Sequence, residues 1–150
     1  MAMVEQSSPN LEDVLREIIL VSKKMPQFFE QSLKSVDLTL TEFRMLQQLS
    51  LAGPTPMAKL GDETMVTKAA VTGITDALEG KGFVRRVRGS GDRRVVHVEI
   101  TPEGRKQLAA AKRIHDDMVR KLTSLLNPDE IRALFGSFEK LNEFMGKESA

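Results

Sequence analysis

The chain has no cysteine, no tryptophan and no tyrosine among its 150 residues. Without cysteine there can be no disulfide, no thiolate zinc site, no iron–sulfur cluster and no thiol-based redox sensing. Only two histidines occur, His97 and His115, so a metal site would depend on carboxylates. No metal and no cofactor is expected. No apolar run approaches the ~20 residues that a membrane helix needs. The opening MAMVEQSSPN lacks the basic-then-apolar order of a secretory signal. The expectation is a cytoplasmic protein with no membrane partner. An excess of charge is also missing: 22 Lys and Arg stand against 21 Asp and Glu, a net of +1. Taken whole, that balance speaks against a nucleic-acid partner. The 41% hydrophobic and 29% charged fractions are those of an ordinary globular domain, too apolar for a disordered one.

What is present is strong helical periodicity with clear start and stop signals. Leu11, Val14, Leu15, Ile18, Ile19 and Met25 recur at three- and four-residue steps behind a capping Asn10. Pro26 should kink that helix or split it, with Phe28, Phe29 and Leu33 continuing the stripe. Thr39 and Glu42 fit a capping box for a second helix carrying Phe43, Leu46 and Leu49, which Gly53-Pro54 ends. Pro56 is expected at the first turn of a short helix with Met57 and Leu60. A further helix runs from about Thr67 to Lys81, with Val71, Ile74 and Leu78 inward. The period then switches to two strands, 83–88 and 95–100, around Gly89-Ser90-Gly91-Asp92. Thr101-Pro102-Glu103 and Asn127-Pro128-Asp129 open two last helices. The fold class is therefore mainly α with a small β-hairpin: a winged helix-turn-helix (38–101) flanked by long helices (10–36 and 102–146), all in one 150-residue domain. Those flanking helices are too apolar to lie bare, and faces of that size mean self-association.

The balanced charge is also unevenly placed. Residues 81–94 hold Lys81, Arg85, Arg86, Arg88, Arg93 and Arg94 against one acid, Asp92, a net of +5; the remainder carries −4. Arginine forks suit phosphates and base edges. A Gly-Ser-Gly tip flanked by Arg, directly after a candidate recognition helix, suits entry into a narrow groove of negative potential. Double-stranded DNA is the expected partner.

Specific motifs accompany this order. They are Leu40-Thr41-Glu42-Phe43, Ala58-Lys59-Leu60 and Val66-Thr67-Lys68-Ala69-Ala70-Val71-Thr72. They continue with Asp76-Ala77-Leu78-Glu79-Gly80-Lys81-Gly82-Phe83-Val84-Arg85-Arg86, Asp92-Arg93-Arg94 and Glu99-Ile100-Thr101-Pro102-Glu103-Gly104. In combination, the stretch from Leu38 to Gln107 resembles the MarR (multiple antibiotic resistance regulator) family of bacterial and archaeal transcription regulators. The resemblance implies a homodimer that grips a pseudo-palindromic operator, most often as a repressor. DNA contacts are implied for Thr67, Lys68, Ala69, Ala70, Thr72 and Gly73 on the recognition helix, and for Arg86, Arg88, Ser90, Asp92, Arg93 and Arg94 on the wing. Arg94 matches the family's minor-groove arginine, Asp92 orients it, and Arg86 divides between contact and structure. Gly73 departs from the longer polar residue of many members, which shifts weight from base contacts to the wing and DNA shape.

The resemblance also implies a dimer interface through Leu11, Val14, Leu15, Ile18, Ile114, Met118, Leu122, Leu134, Phe138 and Leu141. It further implies a pocket for a small aromatic or phenolic ligand lined by Met25, Phe28, Phe29, Phe43, Met65 and Arg94, although each apolar member, at helical spacing, reads first as plain core. His115 reads as packed in the dimer core and His97 as facing solvent. No catalytic constellation is visible, so no enzyme activity is expected. Two other readings stand beside a sequence-specific regulator: a non-specific architectural DNA-binding protein, and a winged helix used only for protein contacts.

Overall fold

A computed structural model describes residues 9–64, 66–89 and 94–148. The expectations placed on Met65, Ser90, Asp92 and Arg93 lie outside the described residues. Helix α1 (Leu11–Leu33) starts at a capping box, with Asn10 Oδ1 accepting the Asp13 N–H at 2.9 Å, a device worth about 1 kcal/mol. It continues through Pro26 as one helix, and a single 3-10 turn, Lys34–Val36, closes it. Proline has no N–H for the Ser22 carbonyl four residues back. Asp37 then reverses the chain with φ +51°.

Helix α2 (Leu40–Ala52) opens with the expected reciprocal cap between Thr39 and Glu42. Strand β1 (Thr55–Pro56), helix α3 (Met57–Thr64) and helix α4 (Lys68–Gly80, capped by Thr67) follow. Strands β2 (Val84–Arg88) and β3 (Val96–Ile100) lead to α5 (Pro102–Thr123) and α6 (Pro128–Glu148).

The hairpin has a third strand. The sheet runs β1-β3-β2, antiparallel, with Val84 opposite Ile100 and Thr55 opposite Val98. Pro56 is therefore in β1 rather than in the first turn of α3. It is tolerated there because β1 is an edge, where a missing N–H costs no ladder bond.

The core lies under this sheet. Phe43, Met45, Leu46 and Leu49 of α2, Leu60 of α3, Val71 and Leu78 of α4, Val84 and Val98 of the sheet, and Ala111 of α5 are all buried. Each large side chain so placed contributes roughly 1.5–3 kcal/mol. The turn from β3 into α5 is tied by Thr101, whose hydroxyl donates to the Gly82 carbonyl at 2.7 Å and accepts the Gly104 N–H at 3.0 Å. A Cβ on Gly104 would stand 2.0 Å from the Phe83 carbonyl oxygen, so only glycine fits there. The outer helices differ. Leu11, Leu15, Leu134, Phe135, Phe138 and Phe144 are exposed. A cleft of about 620 Å³ separates α1 from α6, lined by Val14, Ile18, Val21 and Met25 on one side and Leu134 and Phe138 on the other.

Candidate nucleic-acid interface

Helix α4 has one buried face, Val71, Thr75 and Leu78. Ile74 is half-buried against the core. The sequence predicts Val71, Ile74 and Leu78 inside, and the structure adds Thr75. Its hydroxyl is satisfied by donating back to the Val71 carbonyl at 2.8 Å and lies 3.8 Å from the Met45 sulfur. The signal was available, since 71, 75 and 78 share one helical face. The opposite face exposes Lys68, Ala69, Ala70, Thr72, Gly73 and Asp76, as expected for an element offered to a groove. Thr67 is exposed too, but its hydroxyl already accepts the Ala70 N–H at 3.2 Å. Nothing lies within 4 Å of a Cβ built on Gly73. That position is smooth because it is open, not because it is crowded.

The described cations of residues 81–94 do not act together. Lys81 turns inward: its Nζ donates to the Asp37 carbonyl at 2.8 Å and to Oε2 of the buried Glu42 at 3.1 Å. Arg85 pairs with Glu99 across the strands. Arg86 reaches back from β2 to α4, where it binds Glu79 and, at 2.5 Å, Asp76. The Asp76 hydrogen bond, with help from Glu79, raises the Arg86 pKa above its usual value against the opposing effect of burial. Folding thus brings Asp37, Glu42, Glu99, Asp76 and Glu79 against Lys81, Arg85 and Arg86. Arg88 and Arg94 are exposed where β2 and β3 meet the tip.

His97 corrects the expectation of a solvent-facing side chain. It is half-buried in the middle of the sheet opposite Val87 and Pro56, with Nδ1 buried and without a hydrogen-bond partner among the described residues. Burial follows from β1, which sequence reading did not include.

His115 packs within its own chain. Its ring stacks on Phe29 at 4.9 Å and lies against Phe43 at 5.1 Å. These rings border a cavity of about 300 Å³ lined by Ser22, Met25, Pro26 and Phe29 of α1, Leu40, Phe43, Arg44 and Gln47 of α2, and His115 of α5. Of the expected pocket residues, Met25, Phe29 and Phe43 meet here. Phe28 sits edge-on to Phe29 without lining the cavity, and Arg94 is not among its walls. Ser22, Arg44, Gln47 and His115 are the polar members that the sequence did not place there.

The MarR family profile matches residues 38–96, the span that holds α2 to the start of β3. The multiple antibiotic resistance protein MarR of Salmonella typhimurium is 30% identical over 123 residues, covering 79% of this chain and 83% of its own. This chain belongs to the MarR family. Another relative, the transcriptional repressor YetL of Bacillus subtilis, is 30% identical over 133 residues, covering 83% and 78%. Among solved structures, an Escherichia coli MarR mutant complexed with operator DNA matches with a TM-score of 0.77 at 25% identity, covering 89% of this chain and 99% of that one. The protein is a transcriptional regulator of the MarR type, and its DNA-binding unit is a winged helix-turn-helix. Its relatives are regulators and not enzymes. No described helix is long and apolar enough to cross a membrane.

Proposed function

We propose that this MarR-family chain acts as a homodimeric repressor on a pseudo-palindromic operator and leaves it when a small aromatic acid or phenol is bound. The observation that carries the proposal is the joint exposure of the Lys68–Thr72 face of α4 and of Arg88 and Arg94 at the wing. One element suits a major groove and the other an adjacent minor groove. YetL's description as a repressor and the operator-bound E. coli MarR structure support the sign and the target.

In this reading the single domain divides into a DNA-binding part, 38–101, and dimerisation helices, 10–36 and 102–146. Leu11, Val14, Leu15, Leu134, Phe138 and Leu141 are exposed, and Ile18, Ile114, Met118 and Leu122 half-buried. A second copy would cover them, since apolar faces of this extent are rarely left in water. Two recognition helices would then meet half-sites about 34–36 Å apart. The cavity between α1, α2 and α5 has Phe29, Phe43 and Met25 for an aromatic ring and Arg44 for a carboxylate. It spans the joint between dimerisation helices and winged domain, so a ligand there would bias their relative angle.

Selection of bound duplexes from random DNA tests the reading. A two-fold symmetric sequence should be enriched. Recovery of duplexes without any common pattern would replace it with architectural, non-specific binding.

A further inference from the structure

The charge along α4 runs against its own dipole. Lys68 sits in the first turn and Asp76 and Glu79 near the last, whereas acids stabilise the first turn of a helix and cations the last. A cation at the start of α4 is explained by phosphate. The two acids are not, because they share the exposed stripe with Lys68 and Thr72 (steps of three and four residues) and would repel the same DNA. Arg86 resolves this. One nitrogen of its fork binds Asp76 Oδ1 at 2.5 Å, the other binds Glu79, and its backbone N–H donates to Glu79 Oε1 at 3.0 Å. Its side chain is only 28% exposed. Its donors are thus directed at the helix.

We infer that Arg86 is a positioning residue and not a phosphate contact: it neutralises Asp76 and Glu79 on the DNA-facing helix and fixes that helix to the first strand of the wing. The inference rests on the DNA-binding reading above. A bidentate ionic tie of this kind holds geometry as well as charge, so recognition helix and wing approach DNA as one body. Lysine could supply the charge but not the fork.

The test is a charge cycle on a duplex recovered by the selection, read as affinity against salt. Arg86→Gln alone should lower affinity at least tenfold at low salt and less at high salt, because the two uncovered carboxylates repel the phosphates and salt screens that repulsion. In the Asp76→Asn/Glu79→Gln background, adding Arg86→Gln should change affinity less than about threefold, since the arginine then has no acid left to neutralise. This second comparison decides the matter even if Arg86→Gln alone does not fold. If, in the acid-free background, Arg86→Gln still costs tenfold or more, or lowers the slope there by the ~1.8 that two phosphate contacts per dimer carry, the inference is overturned. A wild-type protein that binds no duplex would sink the DNA-binding reading instead, and shows itself before any variant is made.

Discussion

The winged region and the terminal helices are built from equally periodic sequence, yet they end in opposite states. In the winged region the apolar stripes close on one another: Leu46, Leu49, Leu60, Leu78 and Val98 are wholly buried. On α6, Phe135 is 64% exposed and Phe144 62%. Periodicity therefore establishes that a face is apolar, not what covers it. The winged region is complete within one chain. The terminal helices keep apolar residues exposed within one chain, and a second copy is proposed as their cover.

The largest expected effect breaks the complete region. Gly104→Ala drives a Cβ into the Phe83 carbonyl, and a backbone atom cannot turn aside as a side chain can. A loss of about 3 kcal/mol or more is expected in urea unfolding. Next come the terminal helices. Phe138→Asp should give a folded monomer by sedimentation, with operator affinity lower by about 10²–10⁴ once the two half-sites are no longer linked. Equal affinity in a proven monomer would break the comparison.

A third pair of variants separates inward from outward cations. Lys81→Met takes a partner from the buried Glu42 and should cost about 1–3 kcal/mol of stability with the salt slope unchanged. Lys68→Ala should do the reverse, moving stability by less than about 0.5 kcal/mol and lowering the slope by about 1.8 per dimer. The smallest effect concerns the cavity. Arg44→Gln should weaken binding of benzoate roughly tenfold, about 1.4 kcal/mol, by calorimetry, while leaving operator affinity unaltered.

Much of this was legible in the sequence where the signal was local. The caps at Asn10, Thr39, Thr67 and Thr101 are short-range devices, and each is present. What escaped was set by distant pairing. β1 is two residues long, too short to show alternation, and it exists because Thr55 finds Val98. The +5 of residues 81–94 is a property of the chain order. In space Lys81, Arg85 and Arg86 are answered by Asp37, Glu42, Glu99, Asp76 and Glu79. Gly104 read as the last letter of a motif, whereas its reason is the 2.0 Å approach of a carbonyl. The pocket was half legible, since Phe29 and Phe43 carry helical stripes. Arg44 and His115 join it only through the packing of α2 and α5 against α1.

A homodimer on a two-fold operator fixes how many chains meet one duplex and where. Sedimentation of the protein with a selected duplex, combined with hydroxyl-radical footprinting of the same complex, measures both. Two chains per duplex are predicted, with protected patches about one helical turn apart on one face of the DNA. One chain per duplex, or continuous protection that lengthens as protein is added, would contradict it.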